Sequence, residues 1–213
     1  MARTYHQECP IAKGLDVLGE RWTLLILREL IGGARRYADL RAALPGIATN
    51  LLADRLRELE TAGLIERSEL PPPVARTVYS LTEVGWAKVL PVIRAVATFG
   101  MDLVELAEDA VTPLNGFLAG ILLGFDDPTA DTGVDASYRV DVDDRRFELA
   151  VRDGRPSKPH DPPVVTVTAS AADLIWGRRG GTASQRKAAL GRVKFDGDPK
   201  AVSTFKKLFR LSA

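Results

Sequence analysis

Little in this chain of 213 residues is available for covalent or metal-based chemistry: it has one cysteine, Cys9, and two histidines. A single cysteine excludes an internal disulfide, and with so few histidines no metal site and no cofactor are expected. A reducing, cytoplasmic setting fits. Long apolar runs are missing as well. Residues 117–125 are apolar but far short of the roughly 20 needed to span a bilayer, so they read as buried within the protein. The first ten residues lack the apolar centre of a secretory signal, and no membrane partner is expected. Charge of one sign is absent too: 29 basic residues face 28 acidic ones, a net of +1, so the whole-chain balance announces no nucleic-acid partner. What remains is ordinary globular material, 46% hydrophobic and 27% charged, in a length that suits two small domains.

The two halves differ in period. Up to about residue 110 helical spacing dominates: Ile11, Leu15 and Leu18, then Trp22, Leu25, Ile26 and Leu30, then Tyr37, Leu40 and Leu44. Pro45-Gly46 breaks the chain, and Thr49 is the expected N-cap of a helix with Leu52, Leu56 and Leu59 on its inner stripe, ended by Gly63. Two short strands follow, at 64–67 and 77–81, around a tip containing Pro71-Pro72-Pro73. Thr82 or Glu83 reopens helix, and from Pro91 the residues Val92, Val96, Phe99, Leu103 and Leu106 form a narrow seam that wants another helix. Beyond Pro113 the period becomes two. Tyr138, Val140 and Val142, then Phe147, Leu149 and Val151, predict an antiparallel hairpin. A Pro-rich loop at 156–163, a strand at 164–168, helices at 171–176 and 182–190, a strand at 193–195 and a closing helix at 199–209 complete an α+β second half.

Helices joined through Pro45-Gly46 and followed by a hairpin make a winged helix-turn-helix, in which one helix fits the major groove and the hairpin reaches the neighbouring backbone. The outward stripe of the candidate recognition helix is Asn50, Ala53, Asp54 and Arg57, beside Thr49. Asparagine pairs bidentately with adenine and arginine with guanine, so this face suits base edges. From residue 21 to 57 there are seven basic residues against three acidic ones. Arg35, Arg36, Arg41, Arg55 and the wing-tip Arg76 are the expected phosphate contacts.

The strings CPIAKGLDVLGERWTLLILREL, RRYADLRAALPGIATNLLADRLRELETAGLIER and VYSLTEVGWAKVLPVI, in that order over residues 9–99, resemble the HxlR-type family of winged-helix transcriptional regulators. The resemblance implies a homodimer on a two-fold double-stranded operator, with the first helix and the helix after the wing packing between subunits. Where the family often reads Ser-Glu-Arg at the start of the recognition helix, this chain has Ala48, Thr49 and Asn50, which leaves the operator sequence open. The resemblance also gives Cys9 two readings. Some members sense oxidants through a cysteine before Pro-Ile, but a small residue packing near a dimer interface explains it as well and is the favoured reading, because no second cysteine is present to resolve an oxidised one.

The second half shows no Gly-rich phosphate loop after a strand, no nucleophile elbow and no paired His-carboxylate motif, so an enzyme is not expected. Asp141, Asp143 and Asp144 read as a solvated hairpin end rather than a metal site. The segments DLIWG and ALGRVKFDGD, ahead of the last helix, resemble the SCP2-type sterol-carrier fold over about residues 137–211. That resemblance implies a mainly antiparallel five-stranded sheet with helices on one face, enclosing an apolar tunnel. Phe147, Leu149, Val165, Val167, Leu174, Trp176, Phe195, Phe205 and Phe209 are the candidate lining; the same residues could equally close-pack as a core. The expected protein is thus a dimeric DNA-binding regulator, with residues 1–110 as the winged-helix and dimerisation domain and residues 111–213 as a ligand-binding domain that modulates operator affinity. The alternative is a lipid or small-molecule carrier that uses the winged helix as an interaction module.

Overall fold

The computed structural model describes residues 4–70, 76–100, 103, 111–125, 133–179 and 182–211. Two compact units divide the chain, residues 1–93 and 94–213. The wing tip at 71–75 and Leu106 of the seam lie outside the described residues.

In the first unit, α1 (Pro10–Leu18), α2 (Thr23–Ile31), α3 (Tyr37–Ala43) and α4 (Thr49–Thr61) are followed by β1 (Ile65–Glu69), β2 (Thr77–Leu81) and the start of α5 (Glu83–Gly100). Its core holds Ile26, Leu27 and Leu30 of α2, Leu40 and Leu44, the α4 stripe Leu52, Leu56 and Leu59, and Trp86 and Val89 of α5, all buried. Fully burying side chains of this kind contributes about 1.5–3 kcal/mol each. Gly46 at φ +92° makes the turn before α4, and Gly63 at φ +68° closes it in a left-handed cap, where the Leu64 N–H bonds the Leu59 carbonyl at 3.0 Å. Ala48, not Thr49, is the N-cap of α4, and Thr49 is its first helical residue. The Tyr37 hydroxyl donates to the Thr49 carbonyl at 2.7 Å and fixes that first turn to α3. β1 and β2 pair antiparallel from Ile65↔Leu81 to Glu69↔Thr77, and Arg35 adds an isolated bridge to Tyr79. The Thr82 hydroxyl caps α5, accepting from the Gly85 N–H at 2.9 Å and donating to the Gly63 carbonyl at 2.7 Å. α5 then runs unbroken through Pro91.

After the last turns of α5 the second unit has a helix that period-two reading passes over, α6 (Pro113–Gly120), and a 3-10 turn at Leu122–Gly124. Thr112 caps α6 by accepting from the Asn115 N–H at 3.2 Å. As expected for 117–125, Phe117, Ile121, Leu122 and Phe125 are buried. Beyond it come β3 (Ala136–Val142), β4 (Arg145–Arg152), β5 (Arg155–Ser157), β6 (Val165–Ala169), α7 (Ala171–Arg179), α8 (Ala183–Gly191), β7 (Lys194–Gly197) and α9 (Pro199–Leu208). The strand order is β5-β4-β3-β6-β7. The pairings β3–β4, β4–β5 and β6–β7 are antiparallel, but β3 and β6 are parallel from Tyr138↔Val165 to Val142↔Ala169, so the sheet is mixed. β5 overlaps the start of the expected Pro-rich loop at 156–163, and Pro156 is tolerated in it because it is an edge strand.

Alternation assigns the faces. Tyr138, Val140, Phe147, Leu149, Val165 and Val167 are buried on one side. On the other, Arg139 meets Glu148 and Arg146 meets Asp141 in cross-strand ion pairs of 3.2 and 2.9 Å. The acidic hairpin end is structural, since the Asp143 carboxylate accepts from the Ala171 N–H at 3.1 Å and caps α7. Tyr138 lies under Phe205 and Phe209, with ring centroids 4.9 and 6.0 Å away, and burial pushes its phenol up to about 12.

Candidate DNA-binding surface

With Leu52, Leu56 and Leu59 turned inward, α4 presents Thr49, Asn50, Asp54 and Arg57, all exposed. The Arg57 guanidinium donates to Asp54 at 2.7 Å, one turn away on the helix, with side chains 72% and 51% exposed, so the pair is open to an incoming partner. Arg41 and Arg76 are exposed and Arg36 is half-buried at the start of α3, where the Asp39 carboxylate accepts from its backbone N–H at 3.3 Å.

Two arginines expected on phosphate are turned instead to carboxylates of the unit itself. Arg55, only 16% exposed, lies 3.5 Å from Glu20 and also pairs with Glu58. Arg35, 23% exposed, lies 3.5 Å from Glu29, while its backbone exchanges hydrogen bonds of 2.9 and 2.7 Å with Tyr79 of the wing. The acids responsible are residues that counting treats only as charge. Glu29 is 3% exposed, and Arg28 donates to it at 2.7 Å alongside Arg35. The two guanidiniums compensate a carboxylate buried in α2, and Arg35 ties it to the segment that bridges to Tyr79 of the wing, so loss of Arg35 would leave Glu29 with a partner only on its own helix. Its sequence signal was an acid at i+3 from Ile26 inside an apolar stripe.

Cys9 is the N-cap of α1 and precedes Pro10. The Ala12 and Ile11 N–H groups at the start of the helix hold its thiol below the ordinary range, because they favour the thiolate.

In the second unit, Phe147, Leu149, Val165, Val167, Leu174, Phe205 and Phe209 are buried together between sheet and helices, and Phe195 is half-buried. They meet in ring contacts: Phe117 stacks on Phe147 at 4.4 Å, and Phe205 lies 4.5 Å from Phe209. Trp176, expected in that lining, stands 46% exposed, because Leu174, Ile175 and Gly177 take the buried side of α7. Among the described residues, no group of three or more His, Cys, Asp or Glu side chains is arranged to hold a metal ion, and no helix is long and apolar enough to cross a membrane.

A helix-turn-helix with an exposed polar face on its second helix, backed by a two-stranded wing, defines the class of DNA-binding transcriptional regulators. The chain belongs to the HxlR-like helix-turn-helix family, whose pattern matches residues 17–108. An HTH-type transcriptional regulator of Synechocystis sp., sll1512, is 44% identical over 97 residues, covering 46% of this chain and 71% of that protein. The HTH-type transcriptional regulator YvaP of Bacillus subtilis is 34% identical over 98 residues, covering 46% and 90% respectively. YodB of the same organism, also an HTH-type transcriptional regulator, is 38% identical over 80 residues, covering 37% and 71%.

Proposed function

We propose that the protein works as a cytoplasmic homodimer on a two-fold DNA operator, with residues 1–110 binding DNA and dimerising. In the same reading residues 111–213 are an SCP2-like domain whose small apolar or amphipathic ligand shifts operator affinity. The observation that carries the DNA half is the exposed α4 face. Thr49, Asn50, Asp54 and Arg57 read base edges, and Arg36, Arg41 and Arg76 hold phosphates. The dimer is supported by apolar side chains left outside, Val96, Phe99 and Leu103, which are 49%, 80% and 75% exposed. A second copy doubles the basic surface and brings two recognition helices to successive grooves. The ligand half is supported by the continuous apolar layer from Phe147 to Phe209.

The test is selection of duplexes from a randomised library, followed by anisotropy titration of the winner and a scrambled control at several salt concentrations. Arg57→Ala is expected to lower the preference for the selected duplex about tenfold, and Arg36→Ala to weaken both duplexes alike and reduce the salt slope by about one. If no duplex outcompetes its scrambled control, the operator reading fails. If titration with lipids and aromatic acids never changes operator affinity, the ligand half fails alone.

The second reading of Cys9, an oxidant sensor rather than a small packing residue, makes a separate prediction. Alkylation of Cys9 by iodoacetamide should show a pH midpoint below the value of about 8.5 for an ordinary thiol. Oxidant should release the operator from the wild type and not from Cys9→Ser; an equal response of the two removes Cys9 from the mechanism.

A further inference from the structure

We propose that the outer face of α9, together with Lys187 of α8, is a second DNA surface, one that holds backbone phosphates without reading sequence. The near-neutral balance of the chain conceals a separation of charge. Residues 178–210 carry ten basic residues against two acidic ones, while the remainder of the chain carries 19 against 26. Neither α8 nor α9 contains an acidic residue. Part of this charge is engaged within the unit, since Arg178 donates to backbone carbonyls and Arg192 pairs with Asp173. The lysines differ. Lys187, Lys200 and Lys207 are exposed, and among the described residues none of the three forms an ion pair. On the open face of the sheet, by contrast, Arg139 and Arg146 each have a carboxylate, at 3.2 and 2.9 Å.

The fold sets these charges on one side of the helix. α9 turns Phe205 and Leu208 into the core, so helical spacing puts Lys200, Ser203 and Lys207 on its outward side. Lys206 flanks them, its ammonium 4.3 Å from the centre of the Phe195 ring on β7. The two acids of the segment are directed elsewhere. The Asp198 carboxylate caps α9, accepting from the Lys200 and Ala201 N–H groups at 2.9 and 3.3 Å. Asp196 alternates along β7 with Phe195, whose ring meets Phe205, and so lies on the sheet face away from α9. Helix electrostatics account for Lys206 and Lys207, which lie in the last turn. They do not account for Lys200, which sits in the first turn, where the dipole opposes a cation.

The chemistry selects the partner. A lysine is a compact point charge on a flexible stem, which suits a row of phosphates, whereas planar carboxylates are matched by the arginine fork. With its apolar side buried in the core, α9 has nothing to insert into a lipid surface. DNA is the polyanion of the family to which the first unit belongs, and a duplex held there is kept at high local concentration near the rest of the same chain. The choice of partner rests on the DNA-binding reading above, but not on base recognition by α4.

The experiment is anisotropy titration of the full chain with the library-selected duplex and its scrambled control over a range of salt concentrations. It compares the wild type with the triple variant Lys187→Gln, Lys200→Gln, Lys207→Gln and with a charge-matched control, Arg139→Gln, Arg146→Gln, Arg155→Gln, once circular dichroism shows that all of them fold. The lysine variant should bind both duplexes about tenfold more weakly at low salt, with a salt slope smaller by about two to three per chain and the preference between duplexes unchanged. The arginine control should keep the wild-type slope. A lysine variant that matches the wild type, or that loses no more than the arginine control, overturns the surface. A second arm measures adsorption to vesicles of phosphatidylserine and phosphatidylcholine. Vesicle adsorption that the lysine variant loses while keeping its DNA affinity also overturns it, and assigns the lysines to a lipid surface. If no duplex outcompetes its scrambled control, base reading by α4 fails alone, and the change in sequence-independent binding still decides the lysines.

Discussion

Gly85→Ala is expected to destabilise the first unit by about 3 kcal/mol or more, at the upper end for overpacking, and to abolish its folded signal under mild denaturant. A Cβ built on Gly85 lies 2.0 Å from the Leu64 carbonyl oxygen, 3.0 Å from its carbon and 3.3 Å from the Leu81 side chain. The obstacle is backbone, and that backbone is tied on both sides. The Leu64 carbonyl accepts from the Thr82 N–H at 3.1 Å, and the Leu64 N–H closes the end of α4 on the Leu59 carbonyl at 3.0 Å. Moving Leu64 to admit a methyl group thus breaks the cap of α4 or the start of α5. Gly14→Ala is the matched control, because nothing lies within 4 Å of a Cβ at that position in α1. It should stabilise by about 0.5–1 kcal/mol through reduced freedom of the unfolded chain. Chemical denaturation followed by tryptophan fluorescence reports on the unit through buried Trp86. Equal midpoints for Gly85→Ala and Gly14→Ala would refute the close approach.

The same element shows what a sequence can and cannot disclose. The Leu52, Leu56 and Leu59 stripe with Pro45-Gly46 before it and Gly63 after it is local information, and α4 appears where that pattern puts it, one cap residue aside. The pairing of its arginines is not local. Arg55 meets Glu20, 35 positions earlier, and the Arg35 bridge to Tyr79 spans 44, so a charge count over 21–57 overstates the basic surface offered to DNA. The hairpin β3–β4 was legible by alternation and β6 lies where a strand was expected at 164–168, but its parallel pairing with β3 was not legible, since a strand of five residues carries no mark of its direction. α6 escaped because the stretch after Pro113 was read for period two, and Gly116, Gly120 and Gly124 weaken a helical pattern there. In the fold they are contact points. A Cβ on Gly116 would lie 2.6 Å from Ala171 Cα, and one on Gly120 would lie 2.5 Å from Leu174 Cβ, so small residues at intervals of four let α6 lie against α7. Trp176 was misplaced for a related reason: DLIW is a contiguous apolar run, and only the helical turn decides which of its members faces out.

The third glycine of that series leads to the other large effect, Arg178→Met. The Arg178 guanidinium donates to the Gly120 carbonyl at 3.2 and 3.1 Å through Nε and Nη2, to the Arg210 carbonyl at 3.0 Å through Nη1, and to the Phe209 carbonyl. Those acceptors are the C-terminal end of α6 and the residues that close α9, so one cation serves the negative ends of two helices. Burial, with Arg210 nearby, pulls its pKa below the usual guanidinium value, and charge-assisted bonds to carbonyls offset that desolvation. Methionine keeps the bulk and removes every donor, leaving the carbonyls without this partner at a cost of about 3 kcal/mol to the second unit. Gly124→Ala attacks the same point from the other side, because its Cβ would overlap the guanidinium and lie 2.6 Å from the Phe209 carbonyl oxygen. Alone it should cost about 2 kcal/mol, much of it through displacing Arg178. In the Arg178→Met background that part of the penalty has already been incurred, and the flexible thioether gives way, so the double variant should be clearly more stable than the sum of the two losses predicts. Hydrogen exchange of the β3 amides, read by mass spectrometry across a denaturant series, measures all three variants on the second unit itself. Strictly additive losses would show that Gly124 and Arg178 act independently, and a loss below about 1 kcal/mol for Arg178→Met would show that water replaces the guanidinium at both helix ends.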